Sequence, residues 1–262
     1  MSELYLLRES LRSAFAPKRL VMVLVLVLLP AIIGLFYRFT QSSERFDPVA
    51  NYNSLALNIV FRLILTLLAV LYGTGALSQE IDGRTIVYLL TRPMARWRIL
   101  LTKLVGAWLL VALAGCLSVF MLALALFGGQ ISQAPLALDI RAIVIGAAAY
   151  SALFCFLSTL LSRPLLYALL YGVGWENVAS LFPGGFARLS ILSNLQTLSA
   201  HLKDVPANEG ADSPLNSLLI GDPTIITRPQ AWIAIWLAIL GWGLLSLITF
   251  SKREYAPREE GG

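Results

Sequence analysis

Six long apolar runs, spread from end to end of a 262-residue chain, constrain this sequence more than any other feature. They extend from Leu20 to Tyr37, from about Ile59 to Leu77, from Leu104 to Phe127, from Ala142 to Leu161, from Pro164 to Pro183 and from Ala231 to Phe250. A bilayer's hydrocarbon core takes about 20 apolar helical residues to cross. The runs are too long and too continuous for strands, and none alternates as a barrel strand does. The predicted fold is therefore an all-α integral membrane protein with six transmembrane helices, forming a single transmembrane domain over residues 1–262. Composition agrees. Hydrophobic residues make up 58% and charged residues 13%, where a soluble domain carries about 25% charged. An ordinary soluble enzyme and a disordered chain are both excluded.

Charge placement sets the expected orientation. Thirteen basic residues fall before the first run, between the second and third, in the turn at Arg163, and after the sixth. Six fall on the opposite side: Arg38, Arg45, Arg141, Arg188, Lys203 and Arg228. The positive-inside rule then places both termini in the cytoplasm, as an even number of spans requires. The first run is too long for a signal-peptide core and lacks a small-residue cleavage site, so it is expected to be a retained span. Pro30 is expected to kink it. The basic residues lie between apolar runs, where topology explains them, so no nucleic-acid partner is expected. Cys116 and Cys155 lie inside apolar runs and carry no disulfide or metal pattern.

The long outer segment, residues 184–229, is polar and contains Pro206, Pro214, Pro223 and Pro229. Its amphipathic stretch from Leu189 to Leu202 is expected to lie as a helix on the outer membrane surface. His201, the single histidine, falls in this segment and reads as a surface residue.

Three sets of residues could carry function. The first is the cytoplasmic loop from Gln79 to Lys103. Asp82 or Gly83 can open a short helix there, and Pro93 closes it. Ile86, Val87, Leu89 and Leu90 give it an apolar ridge between arginines. Such a helix suits a groove on another protein, or lies on the inner leaflet. The second is Glu176, followed by Asn177, which interrupts the fifth run. A charge within a span is expensive and is by default a functional group. Glu176 either lines a substrate path or gate, or pairs with a neighbouring helix, Arg62 being a candidate at similar depth. Arg62 can also snorkel to the outer interface. The third set is Gly146, Ala147, Ala148 and Ala149, small residues that let helices approach closely.

The pattern Glu80, Asp82-Gly83-Arg84-Thr85, Leu89-Leu90, Pro93, Arg96 and Lys103 resembles the coupling loop of type-2 ABC transporter permeases. Ser162-Arg163-Pro164, Tyr171 to Glu176, Phe182 to Gly185 and Leu189-Ser190 resemble that family's fifth span and outward re-entrant segment. Leu4 to Phe15, with Leu4, Leu7, Leu11, Ala14 and Phe15 at helical spacing, resembles its amphipathic elbow helix. The resemblance implies a permease subunit, an exporter by preference, docked on a separate ATP-binding cassette subunit through the 80–96 loop. It also implies a second permease copy, identical or related, a path between the two, and a prokaryotic plasma (inner) membrane. ATP and Mg would belong to the partner, with no cofactor and no catalytic residue on this chain. The sequence contains no Gly-x-x-x-x-Gly-Lys-Ser/Thr loop for holding phosphates. The competing reading is an ion-coupled secondary transporter or channel. Such proteins usually carry several intramembrane ionisable residues, and only Arg62 and Glu176 qualify here. An intramembrane enzyme is disfavoured by the single histidine and the lack of a carboxylate cluster.

Overall fold

The computed structural model describes residues 17–40, 47–82, 95–179, 186–199 and 226–252, and every regular element among them is helical. Helix α1 is Pro17–Thr40. Helix α2 starts at Pro48–Leu55, passes without a break through two π-helical stretches, Ala56–Ile64 and Val70–Thr74, and ends at Gly75–Asp82. Helix α3 is Arg96–Phe127 and α4 is Leu136–Leu160. Helix α5 starts at Pro164–Leu169, passes through the π-helical stretch Leu170–Trp175 and continues into Glu176–Ala179. Short helices α6, Phe186–Leu189, and α7, Ile191–Leu198, precede the last helix, α8, Arg228–Lys252.

Five of these helices are long and apolar enough to cross a membrane: Arg19–Thr40, Pro48–Ser78, Arg96–Phe127, Leu136–Leu160 and Arg228–Lys252. The expected fifth span, 164 to 183, is described only as far as residue 179, and over 164–179 it is one helix. The expected elbow helix lies outside the described residues, as do the centre of the expected coupling helix, His201 and Lys203.

The spans begin earlier than their apolar runs. Asp47 caps α2, its carboxylate accepting from the backbone N–H of Val49 at 2.9 Å and of Ala50 at 3.2 Å, with Pro48 in the first turn. That is a strong helix start, 11 residues before Ile59. Arg96 opens α3, so Arg96, Arg98 and Lys103 sit on a helix instead of in the loop, and Lys103 is buried. Leu136 opens α4, which brings Asp139 inside the bundle. The far end of α3 stops at Gly128, whose φ of 56° suits only glycine without strain. Arg38 at the end of α1 donates to the Ala125 carbonyl at 3.2 Å, satisfying a terminal acceptor of α3.

Helix α4 is the hub. Two thirds (67%) of its spanning window is buried, against 17% for α8. It packs on α2, α3, α5, α7 and α8, while α1 lies mainly along α3. Glycines set the close approaches. A Cβ at Gly115 of α3 would meet Ile143 Cγ2 at 2.7 Å, and one at Gly73 of α2 would meet Phe154 Cβ at 2.8 Å. The Trp108 indole of α3 donates to the Val144 carbonyl of α4 at 2.9 Å. The outward faces of α1, α5 and α8 remain apolar and exposed, including Phe36, Leu170, Leu237 and Leu240. That surface suits lipid or another membrane helix and would be untenable in water.

Candidate functional site

The site is built around the π-helical stretch of α5. Gly172 and Gly174 fall in the π-helical stretch Leu170–Trp175; π-turns carry a wide backbone and recur at functional positions. A Cβ at Gly172 would lie 2.5 Å from Thr66 Cγ2, so α2 presses directly on this stretch. One turn later stands Glu176, fully buried.

Glu176 is held by the outer segment. Ser190 Oγ donates to Glu176 Oε2 at 2.5 Å, and the Leu192 backbone N–H donates to the same oxygen at 3.2 Å. Ser190 is also the N-cap of α7, its hydroxyl accepting from Ser193 N–H at 3.1 Å. The carboxylate therefore sits on the first turn of a helix, where orphan N–H groups and the helix dipole favour negative charge. These two bonds come from α7 and not from Arg62.

The second carboxylate oxygen is different. Glu176 Oε1, the Tyr150 hydroxyl and the Thr66 hydroxyl are buried and make no conventional hydrogen bond. The Tyr150 hydroxyl lies close to both Glu176 and Thr66. Helices α2, α4 and α5 thus converge on a small polar spot inside an otherwise apolar interior.

The remaining expected residues are placed as follows. Arg62 is half-buried on the π-helical stretch Ala56–Ile64 of α2. Asn177 is on the helical turn after α5, its side chain outside what is described. Glu80 and Asp82 lie on the last turn of α2, and Arg96 is exposed at the start of α3. Gly83, Arg84, Thr85, Leu89, Leu90 and Pro93 lie outside the described residues. Small residues on α4 do serve close packing: a Cβ at Gly146 would overlap Leu195 Cδ2 of α7 at 2.5 Å. The same contact bears on the segment around Leu189 to Leu202, whose apolar face packs on protein where it is described. Ile191, Leu192 and Leu195 are buried, and α7 packs on α4 and α8. The apolar face found a protein partner, which an amphipathic pattern alone does not distinguish from lipid.

One buried acidic residue escapes the apolar-run reading. Asp139, fully buried on the first turn of α4, accepts from the Tyr52 hydroxyl of α2 at 2.7 Å. The available signal was local: Pro135 followed by helix-forming residues with an acid in the first turn is a helix start.

A family model described as ABC-2 family transporter protein matches residues 18–254. No curated protein is similar enough to match. The match begins within α1, ends just past α8, and takes in all the membrane-spanning helices and the site at Glu176. The chain therefore belongs to the ABC-2 family of transporter proteins, a family of membrane transport components that in general work with ATP-binding subunits.

Proposed function

We propose that this chain is the permease subunit of an ATP-driven exporter of the prokaryotic plasma (inner) membrane, working as a dimer with both termini cytoplasmic. A separate ATP-binding cassette subunit carries ATP and Mg and docks on the 80–96 loop. The family match over residues 18–254 is the observation that carries this reading.

The helices suggest how a push on that loop would travel. The loop joins the end of α2 at Asp82 to the start of α3 at Arg96. Helix α3 has 32 residues, a continuous lever about 48 Å long at 1.5 Å per residue. Helix α2 is interrupted by two π-helical stretches, points where a helix bends more readily than in regular α-helix. Thr66 lies between them and bears on Gly172 beside Glu176. Tilting of α2 and α3 would thus reach the far end of α5, where Glu176 and Asn177, with Arg62 on α2, act as path or gate residues. The chain itself performs no covalent chemistry.

The test is ATP hydrolysis by the assembled transporter in proteoliposomes. Changing Glu80→Ala and Gly83→Leu together should reduce hydrolysis at least about tenfold, a coupling free energy of about 1.4 kcal/mol. Unchanged hydrolysis, with the assembly intact, would remove the loop from coupling.

A further inference from the structure

A cleft of about 580 Å³ opens between the end of α5, the outer segment and α8. It falls in the size range of ligand sites, about 300–1,000 Å³. Its walls are Tyr171, Trp175, Ile191 and the face of α8 that carries Ala234, Ala238 and Gly241. Small residues on that face create the space, and a Cβ at Gly241 would have no atom within 4 Å. A second, almost wholly apolar cleft of about 560 Å³ shares Tyr171, Trp175 and Trp242 with the first.

The lining is mostly apolar. Arg188, exposed on α6, is the one charged residue among the described residues that line the first cleft. Asn194 also lines it and is buried. The Asn194 amide nitrogen donates to the carbonyls of Arg188 at 2.8 Å and Ser190 at 2.7 Å, which fixes α6 against the first turn of α7 and so holds Arg188 at the cleft. The site therefore offers one cation beside two adjoining apolar clefts.

We propose that this cleft binds a glycerophospholipid with a net-anionic head group. The phosphate pairs with Arg188, a head group carrying its own cation is disfavoured beside that guanidinium, and the acyl chains lie along Trp175 and Trp242. Charge complementarity selects a lipid over a second copy of this chain, because the apolar outward faces of α1, α5 and α8 would leave Arg188 unmatched. Binding needs no ATPase, so the site stands or falls separately from the permease reading.

The experiment is photolabelling of the full chain in phosphatidylcholine nanodiscs, with probes that carry a diazirine on the acyl chain. Phosphatidylglycerol probe should label Trp175, Ala238 and Trp242 about tenfold more than phosphatidylcholine probe, the factor expected of one charge-assisted contact. Arg188→Gln, at an exposed position, should bring the two probes level, and Arg188→Lys should restore the preference. Gly241→Leu should fill the cleft and remove labelling at Trp175 with either probe, while outward Leu240 stays labelled. Equal labelling of the wild-type chain by both probes would overturn the proposal. So would labelling confined to the outward face of α8.

Discussion

The Ser190 hydroxyl donates a 2.5 Å hydrogen bond to the Glu176 carboxylate, and the two residues are fourteen apart in sequence. This bond ties the far end of α5 to the first turn of α7. A second donor, Leu192 N–H, makes the attachment bidentate from one helix terminus onto one oxygen. Glu176 is thus both a structural latch and the one acid at the polar spot beside Tyr150 and Thr66.

The latch predicts strong coupling. Glu176→Ala and Ser190→Ala should each cost about 1–3 kcal/mol, the range for buried hydrogen bonds to charged groups and for lost caps. In the double variant the two costs should fall short of additivity by at least about 0.5 kcal/mol. Denaturant unfolding in mixed micelles reads this out, and strict additivity would deny the bond its role.

Gly172 predicts a position-specific steric effect. Gly172→Ala forces a Cβ to 2.5 Å from Thr66 Cγ2, whereas at Gly174 the nearest atom, Leu170 Cδ1, is 3.9 Å away. Gly172→Ala should destabilise by about 1–3 kcal/mol through overpacking. Gly174→Ala should be neutral or slightly stabilising. Thr66→Ser, which removes the clashing methyl, should recover most of the Gly172→Ala loss when thermal unfolding of the two is compared.

Tyr52 and Asp139 predict a modest loss. Interhelical hydrogen bonds in membranes average about 0.6 kcal/mol, and those to charged groups reach about 1.5–3 kcal/mol. Tyr52→Phe should fall between, at roughly 1–2 kcal/mol. Melting indistinguishable from wild type would mean that the hydroxyl contributes nothing to joining α2 to α4.

Much of the fold was legible because hydrophobic length is nearly sufficient to identify a membrane helix. The runs at 104–127 and 231–250 lie within α3 and α8. Helix ends were less legible. An apolar run stops at its first charges, but a helix continues through them wherever a cap or a protein neighbour receives its polar residues. Asp47 and Pro48 extend α2 in this way, and burial against Tyr52 extends α4 through Asp139. Residues 164 to 183 read as one span by composition, and 164–179 form one helix, but composition does not mark the π-helical stretch that Gly172 and Gly174 permit within it. Glu176 stood out in the sequence as a charge among apolar residues. Its partner Ser190 did not, because the pairing depends on how the outer segment folds back, and serine in a polar segment carries no such mark.

The most direct test of the permease reading is a mild-detergent pull-down of the tagged chain, with mass spectrometry and stoichiometry of what accompanies it. The predicted result is a partner near one-to-one that carries a Gly-x-x-x-x-Gly-Lys-Ser/Thr phosphate loop, and that is lost when Glu80 and Gly83 are changed together. A folded chain that emerges with no such ATPase would contradict it.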